Sequence, residues 1–416
     1  MAVNLPAVGG LLVVPGVCVG TACASIGKPD VDDSAAVENQ RDDVVVISLC
    51  AGTTAAGVFT RSAFRAAPVE IASERIAGEG IRALVINSGN ANAATGDPGR
   101  LDALAICDSV ADTLDISADS VAPFSTGVIG ERLPVAAIQR AADLACERLG
   151  PEGWEAAACA IMTTDTQPKI VSHEVSVDDQ IVTLTGMAKG SGMIKPDMAT
   201  MLAYVFCDAS ISGECLDALT REVADLSFNR ITVDGDTSTN DAFVICATGV
   251  ANHAAIQSKE CAGYRALRDG IATLATDLAQ RIIRDGEGAT KFVTVRVSGG
   301  TSGDECLQIA YTVAESPLVK TAIFAGDPNW GRFCMAIGRA GIADLDPSRV
   351  NLWLDKVRIV EAGLAVEGYD ETAAAQVMAQ DEFEIRIELG RGAHEEVIWT
   401  TDLSYDYVRI NAEYRS

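Results

Sequence analysis

The residues best suited to chemistry cluster in residues 189–207, KGSGMIKPDMATMLAYVFC. Gly190, Gly192 and Pro196 mark an irregular loop, Asp197-Met198-Ala199 closes it, and Thr200 opens an apolar run that reads as a buried strand. A hydroxyl at a loop-to-strand junction is well placed to attack an acyl carbon. Threonine is a weak nucleophile and needs an adjacent base. His173, His253 and His394 are each isolated in the sequence. The simplest base is the threonine's own α-amine, with an unperturbed pKa of about 8, freed by cutting the chain between Ala199 and Thr200. The plain alternative is that Thr200 is an ordinary β-branched strand residue and that Lys189 and Lys195 are solvated loop lysines. Against it stands lysine scarcity: two of the chain's 8 lysines flank this one loop.

A second group is Ser125-Thr126-Gly127-Val128-Ile129-Gly130, following the strand-like Val121–Phe124. Small residues there expose backbone N–H groups and hydroxyls, the donors of an oxyanion hole, though a plain turn has the same composition. Asn87–Asn92 (NSGNAN) follows a strand and precedes a helical pattern, which favours helix capping over an anion site. Asp234–Asp241 (DGDTSTND) is rich in oxygen ligands but lacks EF-hand spacing, so a polar turn against the active site is expected. Gly286–Lys291 (GEGATK) lacks the Gly-Lys-Ser/Thr ending of a phosphate loop and precedes a strand, which argues against nucleotide binding.

The elements that must hold these groups alternate between β and α patterns. Asp43–Cys50 and Arg82–Ser88 are continuous apolar runs typical of strands buried on both faces. Gln180–Gly186, Lys291–Val297 and Glu382–Leu389 alternate like half-buried strands. Leu101–Leu114, Val135–Leu149, Leu216–Leu226 and Tyr264–Ile283 carry apolar residues at helical spacing. The fold class is therefore α/β or α+β. Near residue 290 the pattern shifts toward strands with fewer helices. This divides the chain into a body over 1–290 and a smaller β-rich α+β domain over 291–400. The closing TDLSYDYVRINAEYRS (401–416) holds three tyrosines and is expected to pack back onto the body.

At 416 residues, 48% hydrophobic and with mean hydropathy +0.19, the chain is long and apolar enough for a large core. Its 32 Lys and Arg against 58 Asp and Glu give a net charge of −26. No basic run is present to neutralise phosphates, so nucleic acid and anionic membranes are poor partners. Residues 2–27 carry no charge, yet Pro6, Pro15 and five glycines break any spanning helix and no basic segment precedes them. The 12 cysteines form no CxxC pair, which signals neither a zinc site nor a disulfide framework and points to a reducing cytoplasm.

Taken together, STGVIG at 125, MTTDT at 162, KGSGMIKPDMATML at 189, SFNRITVDGDTSTND at 227, GEGATKF at 286, SPLVKTAIFAGDPNWGR at 316 and the closing YVRINAEYRS resemble the ornithine acetyltransferase (glutamate N-acetyltransferase) family of arginine biosynthesis. The resemblance runs from roughly residue 50 to the C-terminus. It implies an αββα-like layered body of the self-cleaving type and a precursor cut between Ala199 and Thr200 into chains 1–199 and 200–416. Those chains would stay together, as an α2β2 heterotetramer. It further implies that Thr200 is the nucleophile, that Thr126 and Gly127 form the oxyanion hole, and that Thr163, Lys189, Thr200, Glu287, Asn411 and Ser416 bind substrate. The reaction implied is ping-pong transfer of acetyl from N-acetylornithine to glutamate, without a cofactor and with acetyl-CoA open as a co-substrate. One departure is visible: the family commonly ends in threonine, and this chain ends in Ser416. A self-processing aminopeptidase or amidase would use the same Thr200 with water as acceptor. A non-catalytic binding protein would keep the fold without the cleavage.

Overall fold

Along β2 (Val44–Leu49) every side chain but Ser48 is buried, and the two faces of the strand meet different neighbours. In a strand successive side chains point to opposite sides. Val45, Ile47 and Leu49 enter a core shared with a second sheet, while Val44 and Val46 pack with Ile106, Val110, Ile138 and Ala142 of helices behind. This is why residues 43–50 read as a continuous apolar run. The computed structural model describes residues 2–26, 41–78, 80–195 and 201–413.

The first sheet has the order β1 (Val17–Ala22), β2, β4 (Ala83–Asn90), β5 (Val121–Val128). The second runs β3 (Thr54–Phe59), β10 (Ala242–Ala247), β8 (Leu202–Cys207), β7 (Gln180–Lys189), β6 (Lys169–Val177). Their inner faces meet through Phe124 and Tyr204, edge to face at 5.2 Å, and through Trp154 and Phe206. Trp154 opens α4 (Trp154–Ala160), while α1 (Ala67–Ile76) contacts β3 and β5. The outer face of the first sheet is covered by α2 (Gly96–Leu114) and α3 (Val135–Glu147). The outer face of the second is covered by α5 (Gly213–Leu226) and α6 (Ala262–Arg284). The result is helix, sheet, sheet, helix, the αββα layering.

A third sheet of seven strands has the order β14 (Leu364–Ala365), β13 (Val357–Glu361), β12 (Asn351–Leu354), β15 (Glu382–Glu388), β11 (Phe292–Gly300), β16 (His394–Thr401), β9 (Ile231–Thr232). Helices are more numerous after residue 290 than the sequence pattern suggests. They are α7 (Gly303–Ala314), α8 (Pro317–Ala325), α9 (Trp330–Gly338) and α10 (Glu371–Met378). Each is short, and α8 (PLVKTAIFA) is apolar nearly all round, so the 3.6-residue period is faint there. A last helix, α11 (Tyr405–Ala412), follows β16 and is capped by Ser404, whose hydroxyl accepts from Tyr407 N.

Lys320 on α8 is 3% exposed and donates from Nζ to Thr400 Oγ1 at 3.2 Å and to the Thr401 carbonyl, tying α8 to the end of β16. Burial lowers its ammonium to about 8, against the pull of Asp402, Asp234 and Glu315. The unfolded chain keeps that proton to about 10.4 and so binds more protons than the folded chain between the two values. Stability from this group is therefore lowest below pH 8 and rises between pH 8 and 10. Urea midpoints at pH 7 and pH 10 are expected to show the parent gaining on Lys320→Met as pH rises. An equal gap at both pH values counts against the assignment.

Candidate active site

Strand pairing delivers the main groups. Lys189, the last residue of β7, pairs with Leu202, the first of β8, so the connection over 190–201 leaves and returns at one sheet end. In the other sheet β4 and β5 run parallel, with Ser88 beside Thr126 and Gly89 beside Gly127. Gly127 has φ +133°, and a Cβ there would lie 2.2 Å from the Gly89 carbonyl carbon. Only glycine fits, because both its conformation and the approach of the neighbouring strand exclude a side chain.

Residues 87–92 have a different role from the helix cap expected of them. Asn87 to Asn90 belong to β4, and α2 starts after Thr95 with no side-chain cap. The asparagine amides instead brace the strand ends. Ser125 Oγ donates to Asn87 Oδ1 at 2.6 Å, Asn87 Nδ2 donates to Asn90 O at 2.9 Å, and Asn240 Nδ2 donates to Ser125 O at 2.9 Å.

A cavity of about 240 Å³ opens where these ends meet. Thr126, Gly127, Thr163, Lys189, Glu287 and Asn411 all line it, as do residues 238–241 of the polar turn and Met201, which directly follows Thr200 in the chain. Ala199, Thr200 and Ser416 lie outside the described residues. Lys189 Nζ donates to Thr126 Oγ1 at 3.0 Å. Asn411 Nδ2, brought in by α11, donates to Glu287 Oε2 at 2.8 Å. Gly192 lies so near that a Cβ would sit 2.4 Å from the Glu287 carboxyl carbon, so a side chain there would displace that carboxylate. The cavity is smaller than the roughly 300–1,000 Å³ of pockets for drug-sized ligands, a size that suits an amino-acid derivative. Its lining carries both a lysine, Lys189, and a carboxylate, Glu287.

Sequence reasoning missed the support beneath these groups. Lys169, with no exposed surface, donates to Asp165 Oδ1 and Asp285 Oδ2, both at 2.6 Å. Asp165 also accepts from Gly190 N at 2.7 Å and Thr163 N at 3.0 Å. Burial alone would raise the Asp165 carboxyl, but Lys169 and Lys189 hold it well below the usual carboxylate range. Burial also lowers the Lys189 ammonium; Asp165, Asp241 and Glu287 favour the charged form, and Lys169 opposes it. Asp234 was expected only as part of a polar turn against the site, and its bonding role was not foreseen. It accepts from Met193 N at 2.7 Å, Ile194 N at 2.9 Å and Tyr407 OH at 3.2 Å, joining the lysine-flanked loop to the tail helix. The available signal was Asp165 and Lys169 four residues apart beside the site, a lysine at a buried strand start. Among the described residues no group of three or more His, Cys, Asp or Glu is placed to hold a metal. No helix there is long and apolar enough to cross a membrane.

The model of the ArgJ family matches residues 32–416. The chain belongs to the ArgJ family. It is 48% identical over 416 residues to the arginine biosynthesis bifunctional protein ArgJ of Pseudomonas syringae pv. tomato, with all of both chains covered. Two solved structures are also similar. The ArgJ bifunctional protein of Bacillus halodurans is 36% identical, covers 52% of this chain and 100% of its own, and has a TM-score of 0.49. The ornithine acetyltransferase of Mycobacterium tuberculosis, complexed with ornithine, is 32% identical, covers 45% of this chain and 94% of its own, and has a TM-score of 0.37. This ArgJ-family chain is an acyltransferase.

An acyltransferase must stabilise an oxyanion, and a N–H beside a hydroxyl at the end of a parallel strand is suited to that. Gly127→Ala is therefore expected to lower the melting temperature and, by displacing this strand end, acyl transfer as well. Calorimetry beside a transfer assay checks it; parental behaviour in both would remove the glycine requirement.

Proposed function

We propose that this chain transfers acetyl from N2-acetyl-L-ornithine to L-glutamate through an acetyl-threonine enzyme, after cutting itself between Ala199 and Thr200. The observation that carries the reading is the convergence of Thr126, Gly127, Thr163, Lys189, Glu287 and Asn411 on one cavity that Met201 also lines. In this reading the Thr200 α-amine takes the hydroxyl proton as Oγ1 attacks the acetyl carbonyl. The carbon–nitrogen bond to ornithine breaks, and the amine returns the proton to the leaving nitrogen. Glutamate's α-amine then attacks the acetyl ester, and Thr200 leaves as a hydroxyl. Thr126 and Gly127 stabilise the oxyanion of both steps.

In this reading Lys189 pairs with a substrate carboxylate and Glu287 with a substrate ammonium, while Thr163, Asn411 and Ser416 add neutral or terminal hydrogen-bonding groups. The product would be N-acetylglutamate, with acetyl-CoA as a further donor in the manner of a bifunctional enzyme. The chains 1–199 and 200–416 would act as one αβ unit, two of which form an α2β2 assembly in the cytoplasm. The tail over 401–416 belongs functionally to the body formed by residues 1–290, because it brings Asn411 to Glu287.

Intact mass under denaturing conditions tests the processing step. Two fragments are expected, the second beginning Thr200-Met201-Leu202, and Thr200→Ala is expected to stay a single inactive 43.4 kDa chain. A Thr200→Ala protein that transfers acetyl within tenfold of the parent would overturn the mechanism. Separately, Thr126→Ala is expected to lower kcat about 10²–10³-fold. Steady-state rates with labelled acetylornithine measure this, and rapid deacetylation without glutamate would shift the reading to an amidase.

A further inference from the structure

We infer that Asp165, Lys169 and Asp285 are positioning residues for the acyl-transfer site, fixing the Lys189 ammonium on the Thr126 hydroxyl so that this hydroxyl directs its own proton into the cavity. The inference rests on the proposed role of Thr126 as an oxyanion donor. It assigns work to three residues that do not line the 240 Å³ cavity.

The chemistry begins with what each group is able to donate. A lysine ammonium has three donors and no acceptor, whereas a threonine hydroxyl has one proton and two lone pairs. When Lys189 is protonated, Thr126 Oγ1, 3.0 Å from its Nζ, must accept. Its proton then points elsewhere, and the cavity that Thr126 lines is where an oxyanion would receive it. A hydroxyl held in this way requires no turning as charge develops, and such preorganisation is the source of electrostatic catalysis. Without the ammonium the hydroxyl is free to rotate and present a lone pair to the oxyanion, which is repulsive.

Lys189 is held from below. The peptide N–H that follows it, that of Gly190, donates to Asp165 Oδ1 at 2.7 Å, and the same carboxylate takes Lys169 Nζ at 2.6 Å. Lys169 is in turn fixed by Asp285 at 2.6 Å, and Asp285 accepts from Thr166 N at 2.9 Å and Gln167 N at 3.2 Å. Asp165, Lys169 and Asp285 side chains are at most 1% exposed, so water does not screen them. The charged groups facing Lys189 are Asp165, Asp241 and Glu287, which favour its ammonium, and Lys169, which opposes it.

The experiment is the pH profile of single-turnover acetylation of the enzyme by N-acetylornithine, a half-reaction without the acceptor amine. Its alkaline limb is expected to report loss of the Lys189 proton. Asp165→Asn removes a neighbouring negative charge and is expected to move that limb to lower pH, with acetylation at alkaline pH slowed about tenfold or more while KM changes little. Lys169→Met removes a positive charge and is expected to move the limb to higher pH, and Lys169→Arg to return it toward the parent. Limbs that coincide with the parent, or move in the same direction in both charge-removing variants, overturn the inference. If Asp165→Asn does not fold, the Lys169→Met and Lys169→Arg pair decides by the same sign. A parental enzyme that takes no acetyl group from N-acetylornithine overturns the functional reading and this inference together. Normal parental acetylation with unmoved limbs overturns the inference alone.

Discussion

One fully buried ammonium, that of Lys169, holds together three stretches of chain that are far apart in sequence. It bridges Asp165 and Asp285, whose carboxylates also bind the backbone at Thr163, Thr166, Gln167 and Gly190. Burying three charges is costly, and such a cluster is tolerated only when its members pair and their remaining lone pairs are used. Here they are used on the backbone N–H groups of Thr163 itself, of Gly190 next to Lys189, and of Thr166 and Gln167, while Asp285 lies two residues before Glu287. Removing one partner of a buried pair typically costs about 3–5 kcal/mol, because it leaves the other uncompensated. The stability of this cluster and the geometry of the cavity are therefore the same constraint. Segments carrying the site are placed by a polar centre, while the layers around it are placed by apolar burial.

Apolar burial was the legible part. The run at 43–50 identified a strand buried on both faces because β2 lies between a helix layer and a second sheet. The helical patterns at 101–114, 135–149, 216–226 and 264–283 each fall on an observed helix, since each is long enough for its period to repeat. Shorter elements were not legible. The helix α4 has seven residues and α8 is apolar on most sides, so neither shows a clear stripe. The short β9 is invisible in sequence for another reason: its two residues become a strand only by pairing with Trp399 and Thr400, far along the chain. In the site, glycines and hydroxyls announced a loop and a strand end, and the four-residue spacing of Asp165 and Lys169 was a local signal, but nothing local marked Asp285 as their partner. Their pairing is a tertiary fact, created when α6 delivers Asp285 to the start of β6.

The polar turn at 234–241 shows the same division. Its composition suggested contact with the site, and residues 238–241 do line the cavity. What composition did not reveal is that Asp234, which does not line the cavity, holds residues that do. It accepts from the backbone of the lysine-flanked loop and from the Tyr407 hydroxyl, so the turn links that loop to α11. Ser404 adds a second tie, donating to the Gly288 carbonyl next to Glu287 at 2.6 Å. No residue of α11 is buried, yet Asn411 is held to Glu287 at 2.8 Å. The helix is positioned by a few directed hydrogen bonds and by the edge-to-face contact of Tyr405 with Phe324, which explains how an exposed tail places a side chain at a buried carboxylate.

These contacts bear on what a cut before Thr200 would do to the molecule. The second sheet would then contain β3, β7 and β6 from residues 1–199 and β10 and β8 from residues 200–416, in the order β3, β10, β8, β7, β6. Strands of the later piece lie between strands of the earlier one, hydrogen-bonded on both sides. Pulling the pieces apart would break two strand interfaces and expose Tyr204, Phe206, Phe243 and Ile245, all fully buried. Apolar burial of that kind is worth about 1.5–3 kcal/mol for each large side chain. The cavity is divided in the same way, with Thr126, Gly127, Thr163 and Lys189 on one piece and Met201, Glu287 and Asn411 on the other. Backbone cleavage is thus compatible with an intact site because the sheet, not the peptide bond, carries the connection between the two halves.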